Sequence, residues 1–188
     1  FFAGKLSWAA PEFHNVPTPV EFEDFVFKRA GKFITFDLET YGEDRRQDAL
    51  DPMIARLRTI QIGHTREVHV VPFRSVITGG PVYYDEATLE ELRDLIRRYL
   101  IDPSILKGGW NQGAYDRLVC EQPRHFGVTP APILDGILLH RLKESELPHG
   151  LGFVGSVYLD VDSWKSEHAA TEAKTDAELW RYGCLMYG

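Results

Sequence analysis

The chain has 188 residues, 44% of them apolar, enough for one domain with a full hydrophobic core and too many for a disordered segment. Its formal net charge of −7 excludes a nucleic-acid binder that grips through a bulk basic surface, but not a nuclease, whose catalytic centre is itself acidic. Two cysteines, Cys120 and Cys184, are too few for a disulfide framework, and no apolar run approaches the ~20 residues of a membrane-spanning helix.

In chain order, residues 1–31 read as an N-terminal extended arm, punctuated by Pro11, Pro17 and Pro19, followed by one short helix. Phe22, Phe25 and Val26 fall at helical spacing before Gly31. Residues 32–188 then form the main domain. Lys32 to Thr40 predicts a buried strand, Arg56 to Gly63 a second and Glu67 to Phe73 a third, joined by short connections into an antiparallel meander. Asp85 to Leu100 is the clearest helix, with Leu89, Leu92, Ile96 and Leu100 as its apolar stripe. A short strand at Ile105–Trp110 leads to a helix over Gln112–Glu121, N-capped by Asn111. Further helices are expected from Asp135 to about Leu142, from Gly150 to Leu159 and from Thr175 to Tyr187. The order predicts an α/β fold, a mixed sheet flanked by helices.

Two stretches carry chemistry. The first strand ends in Asp37 and Glu39, and strand alternation aims both carboxylates the same way. Adjacent carboxylates repel, and a divalent cation between them removes the penalty; hard oxygen donors suit Mg²⁺ or Mn²⁺. A lone Asp-x-Glu at a strand end is more often a solvated terminus. The second stretch, Trp110-Asn-Gln-Gly-Ala-Tyr-Asp116, offers Asp116 on a helix, which alone would be a surface residue. The pair of stretches, spaced by a meander and a helix, is what makes the acids informative.

Taken together, Phe36-Asp-Leu-Glu-Thr40, Arg58-Thr-Ile-Gln-Ile-Gly63 and Trp110–Asp116 resemble the first two motifs of the DEDD 3′–5′ exonucleases. Ile133 to Val161, with Pro148-His-Gly-Leu151 inside it, is similar to the proofreading exonuclease domain of family A DNA polymerases, those of phages in particular. The resemblance covers roughly Phe22 to Tyr182 and implies a ribonuclease-H-like fold. It implies Asp37, Glu39 and Asp116 as ligands of two Mg²⁺ or Mn²⁺ ions, with Tyr182 holding the attacking water. Thr40 and Asn111 would lie near the terminal nucleotide, and Asp135 would be structural; Ile60 and Ile62 are stacking candidates from position alone, and either could equally be plain core. The implied activity is removal of nucleoside 5′-monophosphates from single-stranded or frayed DNA 3′ ends. The implied partner is a polymerase domain in a larger parent chain, in keeping with a sequence that begins at Phe1. The implied setting is the cytoplasm of a bacterium or a phage-infected host cell.

One position departs from the pattern. The third motif, Tyr-x-x-x-Asp, would start at Tyr182 and puts Met186 where the fourth acid is expected. A thioether is a poor Mg²⁺ ligand. Three explanations stand side by side: a lost ligand, a motif starting at Tyr187 and ending beyond Gly188, or substitution by Asp176 or Glu178; a variant using His168 lacks an acid at the matching place. Two alternatives to DNA proofreading remain open, a ribonuclease-D-like RNA 3′ exonuclease and a non-catalytic domain that binds DNA or a polymerase. The seven histidines contain no His-x-x-x-His pair, so no zinc site is expected. Gly108-Gly109 is expected as a tight turn rather than a phosphate cradle.

Overall fold

The computed structural model describes residues 6–7, 11–43, 45–64, 67–74 and 83–160. The expected meander is present as β3 (Phe33–Tyr41), β4 (Arg56–His64) and β5 (Glu67–Pro72), all antiparallel. On one side β6 (Leu106–Gly109) and β7 (Ile133–Asp135) continue the sheet in parallel with β3. On the other side β2 (Glu12–Asn15), from the N-terminal stretch, pairs in parallel with β5 and forms the edge. The strand order is therefore β2-β5-β4-β3-β6-β7. A small parallel pair joins β1 (Leu6–Ser7) to β8 (Leu159–Asp160). This is the mixed α/β sheet of a ribonuclease-H-like exonuclease fold.

Directly paired residues share a face of a sheet. Phe36 pairs with Ile62 and Leu38 with Ile60, and that face is the apolar one. Against it pack α1 (Pro19–Asp24), a π-helical turn over Phe25–Arg29, and α2 (Glu86–Ile101). Thr18 starts α1 with a reciprocal capping box to Glu21, and Asp85 caps α2 by accepting from the Thr88 N–H. The α2 stripe buries Leu92, Leu95, Ile96, Tyr99 and Leu100, and each fully buried apolar side chain contributes about 1.5–3 kcal/mol. Phe22 and Phe25 have no exposed surface, so the N-terminal stretch contributes to the same core as the meander.

The opposite face of β3 and β4 is polar, carrying Thr35, Asp37 and Glu39 opposite Gly63, Gln61 and Thr59. Over its end lie α3 (Asp116–Glu121), α4 (Gly136–Lys143) and α5 (Leu151–Tyr158). The helix expected from Gln112 begins only at Asp116, and Asn111 does not cap it. The backbone donors of the preceding turn are taken by Asp135, which accepts from the N–H of Asn111 at 2.8 Å and of Gly113 at 3.1 Å. Asn111 adopts φ +62° as a result of that turn, in the left-handed region where Asn is better tolerated than most residues. Gly109 is the last residue of β6 rather than part of a turn, and a Cβ there would lie 2.1 Å from the Gln112 amide. That amide is buried and donates to the Phe36 carbonyl, which locks the turn to β3.

Candidate active site

Asp37, Glu39 and Asp116 line one cleft of about 620 Å³ at the end of β3. Alternation along the strand puts the first two there, and the start of α3 brings the third, whose Oδ1 accepts from the Leu38 N–H at 3.2 Å. Asp37 and Asp116 are buried, at 8% and 5% exposure, and Glu39 is partly exposed. Burial and then the negative charges of Asp116 and Glu39 raise the Asp37 carboxyl well above its ordinary range. Burial pushes Glu39 up to about 7, against a lowering contribution from Arg58. Asp116 also rises to about 7; burial outweighs the backbone N–H groups that favour its charge, and Glu39 and Asp135 push it further.

Three carboxylates held this way form an unfavourable arrangement unless positive charge enters the cleft. The donor set consists of hard oxygens, which fits Mg²⁺ or Mn²⁺ and not a soft-ligand metal. Asp135 is not among them: its two oxygens are committed to Asn111, Gly113 and the N-terminal Ile137 N–H of α4. It is a positioning residue that sets the turn carrying Asn111 and, beyond it, Asp116.

Of the expected substrate contacts, Asn111 lines the cleft. Thr40 lies behind it; its hydroxyl bonds the Ala49 carbonyl at 3.0 Å and the Tyr115 hydroxyl at 2.8 Å, and Tyr115 is the residue that reaches the cleft. The expectation for Ile62 is corrected: it is fully buried on the apolar face, paired with Phe36, with the sheet between it and Asp37. Ile60 shares that face and is equally buried. Tyr182 and Met186, with the third motif, lie outside the described residues.

Sequence reasoning missed the rest of the lining. Trp110 and Tyr115 were inside the second motif but carried no separate signal, whereas Arg141 on α4 and His149 before α5 enter only through the fold. His149 is held by the Trp110 indole N–H on its carbonyl at 3.1 Å and by its own Nδ1, 2.7 Å from Nδ1 of buried His140.

The sheet has the strand order of a ribonuclease-H-like fold, and solved structures agree with it. NrnC of Brucella melitensis superposes with a TM-score of 0.60 at 23% identity, over 94% of this chain and 74% of that one. Trypanosoma brucei RNase D, solved with GMP, gives 0.62 at 15% identity, over 90% of this chain and 48% of that one. Escherichia coli RNase D, an exoribonuclease of structured RNA processing, gives 0.56 at 18%, over 93% and 41%. At these identities the likeness establishes the fold. No family profile and no curated protein matches the chain.

Proposed function

We propose that this chain is a metal-dependent 3′–5′ exonuclease of the DEDD type acting on RNA 3′ ends. The observation that carries the reading is the convergence of Asp37, Glu39 and Asp116 in one cleft, with the fourth acid of the neighbourhood, Asp135, bound elsewhere. Divalent ions held by those three residues supply Lewis-acid stabilisation and a more acidic water.

The chain's own contribution is positioning. The β3 backbone fixes Asp37 and Glu39, and the Leu38 N–H fixes Asp116 against them. Arg141 and His149 offer a cation and a hydrogen-bonding ring for a phosphate or sugar at the cleft wall. Trp110 and Ile137 offer apolar faces on which a terminal base can stack, a contact worth about 1–3 kcal/mol. Asp135 holds the Asn111 turn in register with that wall.

RNA is favoured over the DNA proofreading suggested by the sequence motifs because the neighbours named above include RNA-processing enzymes, and T. brucei RNase D has been solved with an RNA, U12. A polymerase partner is not part of the proposal. The test is digestion of 5′-labelled RNA and DNA oligonucleotides of one sequence with Mg²⁺ or Mn²⁺. A ladder shortening from the 3′ end, faster on RNA, is expected. Faster digestion of DNA would restore the proofreading reading, and intact oligonucleotides of both kinds would leave a binding domain.

A further inference from the structure

On the sheet face opposite the acid cleft, two neighbouring strands carry the same Glu-x-His pattern, Glu12-Phe-His14 on β2 and Glu67-Val-His69 on β5. Their parallel register sets Glu12 beside Glu67 and His14 beside His69, so alternation brings all four side chains to one face. Donor atoms of His14, Glu67 and His69 all lie within 4.8 Å of one another. Among the described residues this is the group of three that meets that spacing. Glu67 Oε1 stands 2.8 Å from His69 Nε2 and 3.5 Å from His14 Nε2, and Glu12 Oε1 is 3.5 Å from the same His14 nitrogen.

We propose that His14, Glu67 and His69 form a binding site for a zinc-class divalent transition metal, with Glu12 as the fourth ligand. Tetrahedral Zn²⁺ with bonds of ~2.0–2.2 Å spaces its ligand atoms roughly 3.3–3.6 Å apart. Both 3.5 Å separations already match that edge. Two imidazoles and a carboxylate select Zn²⁺ over the Mg²⁺ that an all-oxygen site prefers.

The surroundings hold the ligands in place. Arg29 takes Glu67 Oε2 at 2.7 Å, which fixes Oε1 toward the histidines. His69, 1% exposed, is stacked between Phe25, at 4.2 Å, and His14, at 4.7 Å. His14, with its side chain 38% exposed on the edge strand, has room to tilt its ring onto an ion. The competing arrangement is a plain hydrogen bond from His69 Nε2–H to Glu67. A metal at Nε2 moves the ring hydrogen to Nδ1, which is buried and has no acceptor among the described residues, and affinity is reduced by that cost. The absence of His-x-x-x-His did not exclude such a site, because that spacing serves one helix and here register across two strands does the assembling. The ion would staple edge strand β2 to the sheet.

The experiment uses the full chain carrying Asp37→Asn, which weakens metal binding in the acid cleft. The protein is incubated with Zn²⁺, desalted, and its zinc counted; a parallel sample takes Co²⁺ for its visible spectrum. One retained zinc per chain and an intense four-coordinate Co²⁺ band are expected. Both are lost on adding His14→Ala or His14→Phe, the latter keeping a ring stacked on His69, with circular dichroism unchanged. No retained zinc in the His14 parent overturns the proposal, and so does zinc retained undiminished in a folded His14 variant.

Discussion

Replacing Glu39 with Gln tests the physical state of the acid cleft without any substrate. In the fold, burial pushes the Glu39 carboxyl up from its ordinary 4.5 to about 7. At about 1.4 kcal/mol per unit this is roughly 3 kcal/mol, a large part of a typical 5–15 kcal/mol stability. The sign follows from proton uptake. Between pH 4.5 and 7 the folded chain binds the Glu39 proton more tightly than the unfolded chain. The Glu39 contribution is therefore fully present below pH 4.5, falls as pH rises through 7 and is gone at pH 8. Glu39→Gln is uncharged throughout and is expected to exceed the wild type by about 2–3 kcal/mol at pH 8 in EDTA, and by little at pH 4.5. Urea denaturation across that range measures the difference. The difference is needed because His125, pushed down to about 4 by burial, tilts the absolute profile the opposite way between pH 6.5 and 4. A variant no more stable than wild type at pH 8 would refute the reasoning and show that Arg58 or solvent neutralises Glu39 in the free protein. Saturating Mg²⁺ should narrow the gap by stabilising the wild type more than the variant.

Asp116→Asn should lower cleavage by more than about 100-fold, beyond the 10–100-fold of a change behind the ligands, while leaving the metal-free protein at least as stable. Asp135→Ala removes the acceptor for three backbone N–H groups, so a loss of about 2–4 kcal/mol in chemical denaturation is expected, with activity falling through misplacement of the Asn111 turn. Arg141→Ala, at an exposed position on the cleft wall, should raise KM roughly 10-fold with kcat little changed, as loss of one charge-assisted phosphate contact requires. His125→Gln should flatten the acid limb of the stability profile: the buried neutral ring contributes fully above pH 6.5 and loses its contribution as pH falls toward 4.

The parts legible in the sequence were those governed by local periodicity. Asp37 and Glu39 could be placed on one face because strands alternate, and α2 because its apolar stripe repeats at helical spacing. The meander followed from three strands consecutive in sequence, joined by two connections. The misreadings came from long-range choices. Gln112 to Tyr115 has helical composition, but Asp135, more than twenty residues away, takes its backbone donors and delays the helix. Ile62 was a stacking candidate from position alone; its partner is Phe36, which puts it on the other face, in the core. The four-residue strand β2, flanked by Pro11 and Pro17, has no local pattern; pairing with β5 creates it. Arg141 and His149 reach the cleft only because α4 and the start of α5 fold over the end of β3.

The most direct test of the central claim follows the first product released from a 3′-labelled RNA, comparing the wild type with Asp37→Asn in Mg²⁺ and in EDTA. The account predicts a labelled nucleoside 5′-monophosphate from the wild type in Mg²⁺ alone, and none from the variant. Release of longer internal fragments, or equal release by Asp37→Asn, would contradict it.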